Sequence, residues 1–151
     1  MILMIITAII SVFAIILIPK RLTWLEMYTT SLFACLFATM VDVYLDVKLN
    51  LYGFFQPGTD WAYIPILLII YPAFNIIFLN FFPYEKPRKH KIAYIFGFSV
   101  ACGTFEYIAT FTGTFYHNDW KLWHSLLIYP VIFLILVLHL YFYRWLKNRN
   151  K

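Results

Sequence analysis

The chain has 151 residues, of which 63% are apolar, 22% aromatic and 13% charged, and its mean hydropathy is +0.76. That composition leaves too little polar surface to cover a soluble globule of this size. The net charge of +5 does not indicate nucleic acid as a partner, because the basic residues flank apolar stretches instead of lining one face of a soluble domain.

About 20 mostly apolar residues at 1.5 Å rise are needed to cross a bilayer. Five segments meet that need: residues 2–19, 22–43, 61–82, 92–115 and 123–143. The first has the look of a signal peptide, but it lacks a basic leading region and an Ala-x-Ala-like cleavage site, and Lys20-Arg21 follows it. It reads as a retained span. After the second span, Leu51-Tyr52-Gly53-Phe54-Phe55-Gln56-Pro57-Gly58 is an aromatic, turn-forming stretch expected to lie among lipid headgroups. The third span should stop sharply at the loop 83–91, which holds two prolines and four basic residues.

Ten of the twelve Lys and Arg residues fall in three places: Lys20-Arg21, then Lys86, Arg88, Lys89 and Lys91, then the tail Arg144, Lys147, Arg149 and Lys151. Lys48 and Lys121 are the exceptions. Each gap between basic places holds two apolar spans, so by the positive-inside rule the basic places are cytoplasmic, the N-terminus is outside and the C-terminus inside. The expected fold class is all-α: a single integral membrane domain over residues 1–151, folded as a polytopic bundle of five transmembrane helices.

An ionisable residue inside a span costs about 2.5–3.5 kcal/mol on insertion scales and needs a partner or a function. Glu106 in the fourth span is the sharpest case. Ser99, Gly103, Glu106, Thr110, Gly113 and His117 recur at spacings of three and four and form one small or polar stripe, suited to close helix contact or to a wet cavity. A carboxyl group at that depth pays desolvation on ionising, and no Lys or Arg lies in the outer half of any span, so Glu106 is expected to be a neutral hydrogen-bonding acid. Tyr129 lies at the matching depth of the fifth span, beside Pro130, and is its expected partner, along with Thr110. His117 is 11 residues further on, roughly 16 Å away along a continuous helix. Glu26, near the inner end of the second span, is expected to reach toward Lys20-Arg21.

Asp42 and Asp46 are four apart, which puts both carboxylates on one helix face near the outer interface. A D-x-x-x-D pair suits Mg²⁺ held against a diphosphate. Here a second acidic cluster is missing and the pair lies on the outer side, so it reads instead as a solvated helix end with Asp46 near Lys48. His117 and His124 lie near the same surface, but no H-x-x-x-H or C-x-x-C pattern accompanies them, so no metal site is read. His139 reads as a hydrogen-bonded histidine within the bundle. Cys35 and Cys102 sit inside spans at different depths and read as small buried residues, not a disulfide. No cofactor motif is read.

The run Tyr71-Pro72-Ala73-Phe74-Asn75 through Phe82-Pro83, the stretch Leu51 to Gly58, Glu106, and Thr112-Gly113-Thr114-Phe115-Tyr116 followed by Trp120-Lys121-Leu122-Trp123 together resemble the CBO-type small multi-spanning membrane proteins of spore-forming Gram-positive bacteria. The resemblance spans most of the chain. It implies a bacterial plasma-membrane location and supplies no activity.

From the residues themselves, the leading expectation is a non-catalytic bundle with a polar pocket in its outer half, built from Asp42, Asp46, Glu106, Thr110, His117, His124 and Tyr129. Membrane lipids surround it, and the pocket would take a small or lipidic ligand or dock a partner helix, including a second copy of the chain. The alternatives are a small proton-coupled carrier acting as a homo-oligomer and, behind it, a lipid-modifying enzyme.

Overall fold

The computed structural model describes residues 2–56 and 61–149. The first helix, α1 (Ile2–Leu17), carries no charge. Past its end the Lys20 ammonium turns back to donate to the carbonyls of Ile15, Ile16 and Ile18, the groups a helix terminus leaves without partners. The loop that follows is clamped from another helix. Asn80 accepts from the backbone N–H groups of Arg21 (2.7 Å) and Leu22 (3.3 Å) and donates to the Pro19 carbonyl (2.9 Å).

Helix α2 (Trp24–Asp42) starts in a capping box. The Thr23 hydroxyl accepts from Glu26 N–H at 3.2 Å, and the Glu26 carboxylate accepts from Thr23 N–H at 2.8 Å. The other Glu26 oxygen accepts from Arg144 Nε at 2.7 Å. Its partner is therefore the C-terminal tail and not Lys20-Arg21, because Lys20 is spent on the end of α1. Beyond Asp42 the helix widens into a π-helical segment, Val43–Lys48.

The third helical stretch is broken by its prolines. A 3₁₀ turn at Trp61–Tyr63 and a π-helical segment at Ile66–Ile70 precede α3 (Tyr71–Phe81). In a π-helix the Leu67 carbonyl would accept from residue 72, but Pro72 has no N–H. The Cys35 thiol donates to that carbonyl instead, at 3.2 Å. Both cysteines are free, as expected.

Helix α4 (Arg88–Phe111) follows the proline-rich loop, and α5 (Leu122–Arg149) closes the chain. Among the described residues four stretches are long and apolar enough to cross a membrane: Trp24–Lys48, Trp61–Phe81, Arg88–Phe111 and Leu122–Arg149. At 16 residues α1 is shorter, about 24 Å against a hydrocarbon core of about 30 Å.

The expectation of a purely helical fold needs one correction. Strands β1 (Tyr52–Phe54) and β2 (Phe115–His117), one from each loop on the side away from the basic clusters, pair as an antiparallel ribbon in the register Tyr52↔His117, Gly53↔Tyr116, Phe54↔Phe115. Helix α4 stops at Phe111, before the expected end at residue 115, because Gly113 takes a left-handed turn (φ 65°) that reverses the chain. Gly53 is required by contact: a Cβ there would collide with the Tyr116 ring lying across it. The Pro57-Gly58 turn lies outside the described residues.

The core divides along the bundle axis. Toward the basic end, Phe78, fully buried, packs against Phe82, Tyr94, Phe98 and Phe133, with Leu79, Leu136 and Leu140 around it. Under the ribbon a smaller cluster gathers Tyr52, Ala109 and Phe115. Between these two layers the packing opens into a cavity. The outward faces are apolar, with residues such as Ile9, Phe13, Leu32, Leu36, Phe96, Phe111, Leu127 and Leu138 exposed.

Candidate functional site

The cavity measures about 240 Å³. Its walls follow helical periodicity: Ala34, Phe37, Ala38, Val41, Asp42 and Leu45 from the second helical stretch face Ser125, Ile128, Tyr129, Ile132, Phe133 and Leu136 of α5. Cys102, Phe105, Glu106 and Ala109 of α4, Ile66, Ile70, Tyr71, Phe74 and Asn75 of the third stretch, and Met4 of α1 complete the ring. Tyr52, Phe54, Phe115 and Trp120 close it from the ribbon side. Among the described residues no Lys, Arg or His side chain lines it.

Two carboxyl groups reach this cavity from different helices, and both are buried. Glu106 is 5% exposed. Its Oε1 is met by Ser125 Oγ at 2.7 Å and His117 Nε2 at 2.7 Å, and its Oε2 accepts from the Tyr129 hydroxyl at 2.5 Å. The Ser125 proton has one direction to go: Trp120 Nε1, which can only donate, already points at the Ser125 oxygen at 2.8 Å. Tyr129, the expected partner, is thus joined at Glu106 by Ser125 and His117.

Asp42 is 9% exposed and is gripped by tyrosines from three separate segments. Tyr52 donates to Oδ1 at 2.7 Å, while Tyr63 (2.5 Å) and Tyr71 (3.2 Å) donate to Oδ2. Burial, and after it the Asp42 carboxyl group alongside, push the Tyr52 hydroxyl well above the usual phenol range, which keeps it a donor. The solvated helix end expected for Asp42 is replaced by a desolvated carboxyl group with three phenolic donors.

A third polar side chain on the wall is incomplete. Asn75 is 3% exposed, and its Nδ2 donates to Thr30 Oγ1 at 3.1 Å. Thr30 spends its own proton on the Glu26 carbonyl at 2.7 Å, so it can only accept from Asn75, which fixes which way the amide faces. Asn75 Oδ1 is left buried without a partner.

The remaining expectations divide. His117 is not a helical turn beyond the pocket at 16 Å; the reversal at Gly113 lays β2 back over the helix and brings the ring to Glu106. Of the polar stripe, Ser99, Gly103 and Glu106 are buried, and Ala109 takes the place expected for Thr110. The Thr110 hydroxyl bonds the Tyr107 carbonyl of its own helix at 2.7 Å and does not line the cavity. Asp46 is half-buried on the widened turn beyond Asp42 and lies outside the lining. His124 caps α5, its Nδ1 accepting from Lys121 N–H at 2.9 Å, with its ring on Trp123. His139 is not hydrogen-bonded at Nδ1; its ring stacks on Phe33 at 3.9 Å. Among the described residues no three His, Cys, Asp or Glu side chains come together as metal ligands.

Tyr52, Tyr63, Tyr71, Asn75, Trp120 and Ser125 were not legible as site residues. A hint lay in Tyr71 and Asn75, one turn apart beside Pro72 in an otherwise apolar run. No family model, curated protein or solved structure matches the chain.

Proposed function

We propose that the chain is a polytopic plasma-membrane protein that binds a small molecule within the bilayer, in the cavity beneath the ribbon. In this reading α1 is a fifth span around which the bilayer thins locally, the basic end faces the cytoplasm, and the ribbon roofs the pocket on the outer side. Membership of the CBO-type membrane proteins belongs to the same proposal and adds no activity to it. The observation that carries the reading is the cavity itself: the helical faces around it, with Met4 of α1 among them, leave about 240 Å³ unfilled around two buried carboxyl groups. A packing seam would have closed that space, since interiors are packed to crystal-like density.

The chemistry favours binding over turnover. Each carboxyl group is held by hydrogen bonds from the protein, and although Ser125 and His117 both meet Glu106 Oε1, the serine proton goes to the carboxyl group and not to the histidine, so the two are not arranged as nucleophile and base. A carrier would add proton-dependent solute flux in proteoliposomes, and a binding protein would not.

The test is native mass spectrometry of the protein released from its own membrane, compared with Ala38→Leu, which adds bulk to the cavity wall and removes no polar group. A non-covalent adduct on the wild type that Ala38→Leu loses is the expected result. No adduct on either protein, or an adduct indifferent to Ala38→Leu, would refute the reading.

A further inference from the structure

The walls of the cavity also select among ligands. The donors on its walls, Tyr52, Tyr71, Trp120, Ser125 and Tyr129, are spent on the carboxyl groups or on one another, which leaves the carboxyl groups of Asp42 and Glu106 and the partnerless Asn75 Oδ1 as acceptors that lean one way in charge. Among the described residues no basic side chain lines the space to balance them. His117 meets Glu106 from above the lining, but Asp42 meets only neutral phenols. Three neutral donors leave a buried carboxyl group without a counter-charge, and a cation bound beside it would supply one. Around these groups stand aromatic rings, including Phe37, Phe74, Phe105, Phe115, Trp120 and Phe133. Carboxylates within a wall of aromatic faces recognise organic cations, through Coulomb attraction and the negative faces of the rings.

Asn75 narrows the choice further. A buried acceptor left unsatisfied costs about 1–3 kcal/mol, so a ligand that donates a hydrogen bond there is favoured over one that cannot. A quaternary ammonium has no N–H to give; a primary ammonium has three. Size sets the last limit. An apolar cavity of about 150 Å³ holds benzene, so 240 Å³ holds a ring with a short arm.

Resting on the binding function proposed above, we infer that the cavity selects a small primary ammonium ion carrying an aromatic or branched apolar body of about ten non-hydrogen atoms. The ammonium group sits between Asp42 and Asn75, and the apolar body lies against the phenylalanine rings.

The experiment uses the full chain in nanodiscs of zwitterionic lipid, which avoids the accumulation of cations at an anionic surface. Binding of four probes of similar size is measured by calorimetry: phenethylamine, benzyltrimethylammonium, 2-phenylethanol and 3-phenylpropionate. Ala38→Leu nanodiscs supply the correction for partition into lipid. Phenethylamine is expected to bind at least ten-fold more tightly than the alcohol, with benzyltrimethylammonium between them and the propionate weakest. Asp42→Asn should still bind the alcohol and lose the preference for amine over alcohol. Asn75→Leu, which leaves both carboxyl groups untouched, should erase the preference for the primary over the quaternary ammonium, and it serves if Asp42→Asn does not fold. Equal binding of amine and alcohol, both blocked by Ala38→Leu, would overturn the inference and leave the binding reading standing. Tightest binding of the propionate would do the same. Binding of no probe beyond that seen with Ala38→Leu would overturn both.

Discussion

Tyr52 and His117 stand opposite each other across the ribbon, and each holds a different buried carboxyl group: Tyr52 donates to Asp42 at 2.7 Å and His117 meets Glu106 at 2.7 Å. Directly paired residues of an antiparallel ribbon project from the same face. The pairing therefore ties the far end of α2 to that of α4, two helices whose carboxyl groups both line one cavity.

The two contacts are predicted to be coupled. Tyr52→Phe and His117→Ala should each lower stability by about 1–2 kcal/mol, within the range for hydrogen bonds to charged groups and for polar contacts in membranes. Because both changes loosen the same ribbon, the double variant should cost less than the two singles added, with a coupling of about 0.5 kcal/mol or more. Reversible unfolding of all four proteins in mixed micelles measures this. Strict additivity would mean that the ribbon does not transmit between the carboxyl groups.

The α4 stripe shows where the sequence was legible and where it stopped being so. Ser99, Gly103 and Glu106 recur at helical spacing and are buried together, since periodicity reports a helix face for as long as the helix lasts. Extending that period to His117 failed because a glycine in a left-handed turn ends the helix, and the chain after it is governed by pairing with a segment some 60 residues earlier in sequence. The basic clusters and apolar runs gave the helices for a similar reason, being local signals of span and loop. Asp42 was misread because its partners Tyr52, Tyr63 and Tyr71 come from three segments with no shared spacing. The Glu26–Arg144 pair was missed likewise, because it joins positions 118 apart.

Cys35 gives a prediction about the proline break. Its thiol serves the Leu67 carbonyl that Pro72 leaves without a donor. Cys35→Ser, which keeps a donor of similar size, should stay within about 0.5 kcal/mol of wild type, and Cys35→Ala should lose about 0.5–1.5 kcal/mol. If the alanine variant is as stable as the serine one in the same micelle unfolding assay, the carbonyl is satisfied some other way.

At the basic end, Arg144 bonds the buried Glu26 carboxylate and places its guanidinium 4.9 Å from the centre of the Tyr84 ring. Removing the arginine leaves that carboxylate buried without its cation; because Arg144 is about a third exposed, the cost is set below the value for fully buried pairs, at about 1–2 kcal/mol. Glu26→Gln preserves the capping box and removes the charge. The double variant Glu26→Gln/Arg144→Ala is therefore expected to be more stable than Arg144→Ala alone. A double variant less stable than Arg144→Ala would contradict this account of the pair.

The central claim is that the ribbon closes the cavity on the outer face of the membrane while the basic clusters stay inside. It is tested most directly by single cysteines at Asn118, beside the ribbon, and at Pro87, in the basic loop, each in a Cys35→Ser/Cys102→Ala background and exposed in intact cells to a thiol reagent that does not cross membranes. The account predicts that the cysteine at 118 is labelled in intact cells and that the one at 87 is labelled only after the membrane is opened. Labelling at 87 in intact cells, with 118 protected until lysis, would contradict it.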